Sequence, residues 1–278
     1  MAEPVRKMPA DREPESPPSD DPFRYGSRWR RVRLPSGEVV DQQIPLTVED
    51  LLDPQLGDEV PQSGPHSEAA TQLFDLLKRH FAPREDVLVT FDMKVLWGIP
   101  GLPEPSPDVA VILGIRDKKR SRTLFDVPQE GVRPSLIIEV ASPFDTEVRR
   151  NDYEKKVDLC ERMGLPEYLI ADPPFSEDDR LLWTGYRMAP GGRYEKIQPD
   201  TEGFLLSETA GLLFGVADDE RTPRVVDVAT RERLFTSSEI DAARTREAET
   251  RKVAEERAKA AEDELARLRA ELERLRKP

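Results

Sequence analysis

The spacing of apolar and polar positions divides the chain into a regularly patterned middle and two ends that follow other rules. In "SEAATQLFDLLKRHF" (67–81), Ala70, Leu73, Phe74, Leu77 and Phe81 fall on one face at helical spacing. Three segments then read as strands: 86–97 ("DVLVTFDMKVLW"), 107–114 ("PDVAVILG") and 135–142 ("SLIIEVAS"). A second helix is expected over about 146–163, stopped by Gly164 and Pro166. More strands follow at 167–172, 181–188 and 193–200. This order predicts an α/β fold with a central mixed β-sheet flanked by helices, over residues 41–235.

The ends differ. Residues 1–22 are rich in proline and charge and nearly free of large apolar side chains, which predicts a disordered tail. The tail runs on to residue 40 through "FRYGSRWRRVRLPSG", where Arg28, Arg30, Arg31 and Arg33 are interleaved with aromatic residues. Guanidinium groups beside aromatics suit phosphates and stacked bases. The plainer reading is a strand or hairpin with a solvated basic face, ending at the turn Pro35-Ser36-Gly37. From residue 236 to 278 there is no glycine, and no proline before Pro278. Ser237-Ser238-Glu239 offers a helix start. Ala254, Ala258, Ala261, Leu265, Leu268, Leu272 and Leu275 alternate four- and three-residue spacings, the seam of a coiled coil. A C-terminal coiled-coil helix is expected, with a homodimer through residues 250–277 as one use of it and a lone solvated helix as the other.

Several charges interrupt the apolar patterns. On the strand 135–142, Leu136, Ile138 and Val140 share one face, and Ile137, Glu139 and Ala141 share the other. Both faces are otherwise apolar, as in a strand covered on both sides. A carboxylate there must meet a cation, accept several hydrogen bonds or hold a proton, unless it lies at an open strand end. Asp108 poses the same problem at the start of "PDVAVILG". Two carboxylates from neighbouring strand ends are suited to a hard divalent cation such as Mg2+ or Mn2+. On the helix that follows, Val148, Asp152, Lys156, Leu159, Cys160 and Met163 form one stripe, so Asp152 and Lys156 fall on the face expected to pack against the sheet. Paired carboxylates, a metal and a lysine suit phosphodiester hydrolysis.

Composition narrows the alternatives. One cysteine and two histidines exclude a disulfide framework and the cysteine- or histidine-rich metal sites. There is no nucleophile elbow, P-loop or dinucleotide fingerprint. No apolar run approaches a membrane span, so no membrane partner is expected and the cytoplasm is the expected location. The net charge of −13 sits in the middle of the chain, because residues 236–278 are neutral; this runs against binding DNA by general cationic attraction.

Asp108, then Glu139 in "IIEVASP", then "DYEKK" and "GLPEYLIADP" resemble the Uma family of restriction-endonuclease-like proteins, within the PD-(D/E)XK nuclease superfamily. The resemblance covers about residues 45–205 and is most specific over 134–173. It implies a restriction-endonuclease-like core in which Pro107-Asp108 supplies the "PD", Glu139 the second acid and Lys156, rather than Lys155, the lysine moved onto the following helix. Glu68 matches the acid that many superfamily members place near the metal. The implied activity is a metal-dependent endodeoxyribonuclease acting on DNA. A nuclease fold without catalysis, recruiting a partner through its C-terminal helix, is the alternative.

Overall fold

The computed structural model describes residues 21–142, 146–174, 176 and 179–275. Most of the tail expected over 1–22 lies outside the described residues, as do the last residues of the coiled-coil segment. The arginine-rich segment forms a hairpin, β1 (Ser27–Arg33) and β2 (Val39–Pro45), paired in register from Ser27–Pro45 to Arg33–Val39. The strand β2 therefore runs across position 40.

Helix α1 (Gly64–His80) begins three residues before the patterned segment 67–81. The Ser63 hydroxyl accepts from the His66 backbone N–H at 3.2 Å, and Pro65 suits a first helical turn that needs no N–H. The next strands are β3 (Val87–Phe91), β4 (Val95–Leu96), β5 (Val109–Leu113), β6 (Phe125–Asp126) and, after the short α2 (Val127–Glu130), β7 (Leu136–Val140). The strand expected over 86–97 is thus broken in two. At Asp92 the backbone takes φ 44, a left-handed turn that aspartate tolerates better than most residues, and the chain leaves the central sheet. β4 pairs instead with β6, in parallel.

The helix expected over 146–163 is one path with a defect. α3 (Thr146–Arg150) passes into a π-helical turn (Asn151–Lys155) and then α4 (Lys156–Met163), which closes on Gly164 at φ 68. β8 (Glu167–Asp172), β9 (Leu182–Met188) and β10 (Tyr194–Lys196) follow. Three strands that the pattern above does not mark, β11 (Leu205–Ser207), β12 (Leu212–Val216) and β13 (Pro223–Asp227), make a second antiparallel sheet.

The central sheet has the order β10-β9-β8-β7-β5-β3, with β7 and β8 parallel and the other neighbours antiparallel. The parallel step requires a crossover, and the broken helix supplies it. Leu136, Ile138 and Val140 pack with α1 and the second sheet, through residues such as Leu73, Leu77 and Phe214. Ile137 and Ala141 pack on the other face with Tyr168, Ile170, Leu159, Cys160 and Met163. The architecture is α/β, a mixed sheet flanked by helices, with β7 buried at all five positions. Glu139 lies in that buried strand, on the side of the broken helix.

The described chain divides at Leu234–Phe235 into two compact units. The second is α5 (Ser237–Leu275), a single exposed helix of 39 residues. Thr236 and Glu239 exchange hydrogen bonds at its start.

Candidate active site

The sheet register assembles the site. β5 and β7 pair Val109 with Ile138, and one step further sets Asp108 beside Glu139. That step is secured by a side chain, since Asp108 Oδ2 accepts the Val140 N–H at 2.7 Å. On the other edge of β5, the Asp92 N–H donates to the Asp108 carbonyl at 3.0 Å. Asp92, Asp108 and Glu139 therefore form one row across the neighbouring strands β3, β5 and β7, with Asp92 one residue past the end of β3 and Asp108 one before the start of β5. Asp108 and Glu139 are 8% and 4% exposed, so neither is a carboxylate solvated at an open strand end.

The broken helix brings the counter-charge. Lys156 Nζ donates to Glu139 Oε2 at 2.9 Å and lies 2.9 Å from Asp152 Oδ1. The π-turn holds Asp152 one turn before Lys156 on the inward side, and Asp152 is itself buried. Its other oxygen accepts from the Ser142 N–H at 3.4 Å, and its carbonyl accepts from the Tyr168 hydroxyl at 3.1 Å. Lys155 points elsewhere, to Glu49 at 3.2 Å. Beside this cluster, Arg149 forms a two-pronged pair with Asp172, which also accepts from the Tyr153 hydroxyl. That pair ties the helix to the end of β8.

His66 enters from the first turn of α1. Its Nε2 lies 3.3 Å from Asp108 Oδ2, while its Nδ1 is buried with no hydrogen-bond partner among the described residues. The superfamily pattern pointed to Glu68, but Glu68 lies exposed on the other side of the helix, where it accepts from Gln72 at 3.4 Å. Helical geometry explains the difference. His66, Ala70, Leu73 and Leu77 follow one stripe toward the sheet, and a residue two positions past His66 points well away from it. Sequence reasoning missed His66 and Asp92. Ser63 and Pro65 carried a signal for the first, because they mark a helix start that includes His66.

The electrostatics are those of a cluster short of positive charge. Burial, then the charges of Asp108 and Asp152, push the Glu139 carboxyl well above its ordinary range, against the pull of Lys156. Burial also raises Asp152, which Lys156 only partly offsets. For Asp108, burial is outweighed by the His66 hydrogen bond, the nearby cations and the Val140 N–H, and its carboxyl is lowered. Asp92 reaches solvent, yet the protein packed around it and the charge of Asp108 raise its carboxyl. Burial would lower Lys156, but Asp152, Glu139 and Asp108 overcome it and hold the ammonium well above its ordinary value. Burial works against protonation of His66 too, and its bond to Asp108 reverses the sign, leaving the imidazole raised.

The donor set fits a hard divalent cation. Among the described residues, Asp108 Oδ1 and Glu139 Oε1 have no hydrogen-bond partner, while the second oxygen of each carboxylate is already held. Among the same residues, no group of three or more histidine, cysteine or carboxylate side chains is placed to hold a metal ion, so the protein would offer it no more than two ligands. Mg2+ commonly takes one or two carboxylates and keeps several waters, so two free oxygens suit it.

The arginines of the hairpin are largely occupied. Arg28 forms a two-pronged pair with Asp58 at 2.6 and 2.7 Å and lies 3.4 Å from Asp50. Arg31 pairs with Asp41 at 3.2 Å, and Arg33 donates to the Gly37 carbonyl at 3.4 Å. Arg30 is exposed. None of the four is bonded to the carboxylate cluster. Among the described residues, no helix is long and apolar enough to cross a membrane.

No curated protein matches the sequence. Among solved structures, a protein from Anabaena variabilis ATCC 29413, described as "a putative nuclease belonging to DUF820", is 16% identical. The match covers 63% of this chain and 79% of that one, with a TM-score of 0.39. Residues 48–219 match the family described as "Uma2: Putative restriction endonuclease", a span that holds the whole carboxylate–lysine cluster. The chain belongs to the Uma2 family, and that membership supports a nuclease, and hence a hydrolase, activity.

Proposed function

We propose that the protein is a metal-dependent endonuclease that hydrolyses phosphodiester bonds in DNA. The observation that carries this reading is the buried Glu139–Lys156–Asp152 contact beside Asp108, with one oxygen of Asp108 and one of Glu139 unused. Mg2+ or Mn2+ held by those two oxygens would polarise a phosphoryl oxygen and make an adjacent water more acidic. Lys156 keeps its proton, since three carboxylates raise it, so it acts as a donor and not as a base. Its ammonium orients the attacking water or stabilises charge that develops on the phosphoryl oxygens. Asp152 holds Lys156 in line with Glu139, and His66 and Val140 hold Asp108. The protein works in the cytoplasm as a homodimer through residues 250–277. Exposed Arg30 contributes one cation toward the phosphate backbone, and the bound metal offsets part of the site's negative charge.

The test is cleavage of supercoiled plasmid and of single-stranded DNA with Mg2+ or Mn2+, comparing wild type with Lys156→Ala. Nicking that requires metal and falls by about a thousandfold in the variant is the expected result. A folded wild-type protein that cuts neither substrate with either metal would favour a non-catalytic binding module.

A further inference from the structure

The leucines of α5 need a cover. Leu265, Leu268, Leu272 and Leu275 are between 51% and 78% exposed, on a seam that begins at Ala254. Upstream, the positions that continue the seam are Glu247 and Arg251, so the apolar stripe occupies 254–275. Such a stripe is expected to pair with another helix, and the charges flanking it identify the partner and its direction.

With Ala258, Leu265 and Leu272 at the first seam position of each heptad, Arg257 and Glu264 precede the seam and Glu262 and Arg269 follow it. In a parallel, in-register pair, a residue preceding the seam meets the one five positions further along on the other helix. Arg257 then faces Glu262, and Glu264 faces Arg269, twice each by symmetry. The sequence continues the rule with Glu271 and Arg276. The same register sets each leucine against its own copy. An antiparallel pair over the same stripe would face Glu264 with Glu264 of the other copy and pack leucines against alanines.

We infer that the occupant of this face is a second copy of the chain, in parallel and in register, selected by the Arg257–Glu262 and Glu264–Arg269 pairs. The inference rests on the homodimer proposed above and adds its direction. Chain connectivity gives the consequence. Both helices begin at Ser237, so in a parallel pair the two nuclease domains attach at the same end, roughly 10 Å apart at the helix axes. Two active sites tethered this way are held at a high effective concentration for the two strands of one duplex.

Sedimentation equilibrium of the full chain, combined with charge reversal, tests it. Glu264→Arg and Arg269→Glu are each expected to weaken the dimer by roughly tenfold, and the double variant to restore it to within about threefold. As a second measure, Ala254→Cys should cross-link to its own copy under mild oxidation, because a parallel, in-register seam sets position 254 against itself, and the buried native Cys160 does not compete. A wild type that stays monomeric would remove the dimer, and the inference with it. A dimer that the double variant fails to restore, and that does not cross-link at 254, would keep the dimer and overturn its parallel direction.

Discussion

Glu139 and Glu167 are both buried carboxylates on adjacent parallel strands, at 4% and 0% exposure, and their surroundings are opposite in kind. Glu167 accepts from Arg187 Nε at 2.8 Å, the Glu208 N–H at 2.9 Å, the Thr209 hydroxyl at 2.5 Å and the Ser207 hydroxyl. Every lone pair of that carboxylate has a donor, and it ties the start of β8 to the second sheet. Among the described residues Glu139 has one side-chain donor, Lys156, which it shares with Asp152. A buried charge that is fully satisfied holds a fold together. One left short of donors stores an affinity for something that arrives later.

This contrast predicts that the two positions separate stability from activity. Glu139→Gln removes a charge that burial and two neighbouring carboxylates disfavour, so thermal unfolding of the metal-free protein should stay level or move upward. Metal-dependent cleavage in the same variant should fall by about a thousandfold or more. Glu167→Ala takes one of Arg187's partners and the carboxylate acceptor of two hydroxyls, and denaturant titration should show a loss of about 3 kcal/mol. At temperatures where it remains folded, that variant should retain metal binding. Matching stability losses at the two positions would show that Glu139 is as structural as Glu167.

A smaller effect is expected at His66, which acts through Asp108. Its Nε2 and the Val140 N–H both engage Oδ2, and among the described residues Oδ1 has no hydrogen-bond partner, so the proposed metal would bind there. His66→Phe should weaken Mn2+ affinity roughly tenfold, read by calorimetry without substrate, whereas His66→Gln, which keeps a donor, should recover most of it. Equal loss in both variants would mean that the imidazole fills space and positions nothing.

Much of this site was legible in the sequence for one physical reason. A charge inside an apolar period is visible wherever the period is regular, and Glu139, Asp152 and Lys156 all sit in regular stretches. The assignment of Glu139 to the same side as Ile137 and Ala141 needs only the two-residue repeat of a strand. Asp92 was hidden because its position depends on a single left-handed backbone turn, which ends β3 where the apolar pattern runs on to Trp97. His66 was hidden because its face of the helix is read from apolar residues, and it lies one turn before the first of them. Glu68 was carried over from a superfamily pattern, whereas the stripe Ala70, Leu73 and Leu77 already placed it on the outward side. The strands β11–β13 are short and partly buried, with too few alternations to rise above the background of a loop.

The smallest effect concerns a histidine–carboxylate contact away from the site, where neither extreme of the contrast applies. His80 closes α1 with Nε2 at 3.5 Å from Asp227 Oδ2. Burial, aided by Arg84 and only partly opposed by Asp227, holds its imidazole below the ordinary value of 6.5. A histidine lowered in the folded state favours folding when neutral. Its contribution is therefore fully present above the unfolded value and is lost as pH falls through the lower folded one. Between pH 7 and 5 the wild type should lose up to about 1 kcal/mol more than His80→Gln in metal-free denaturant titrations. His66 is common to both proteins, so the difference between the two curves belongs to His80. If the curves fall in parallel, Asp227 compensates the burial of His80 fully, and this pair joins Glu167 on the balanced side of the comparison.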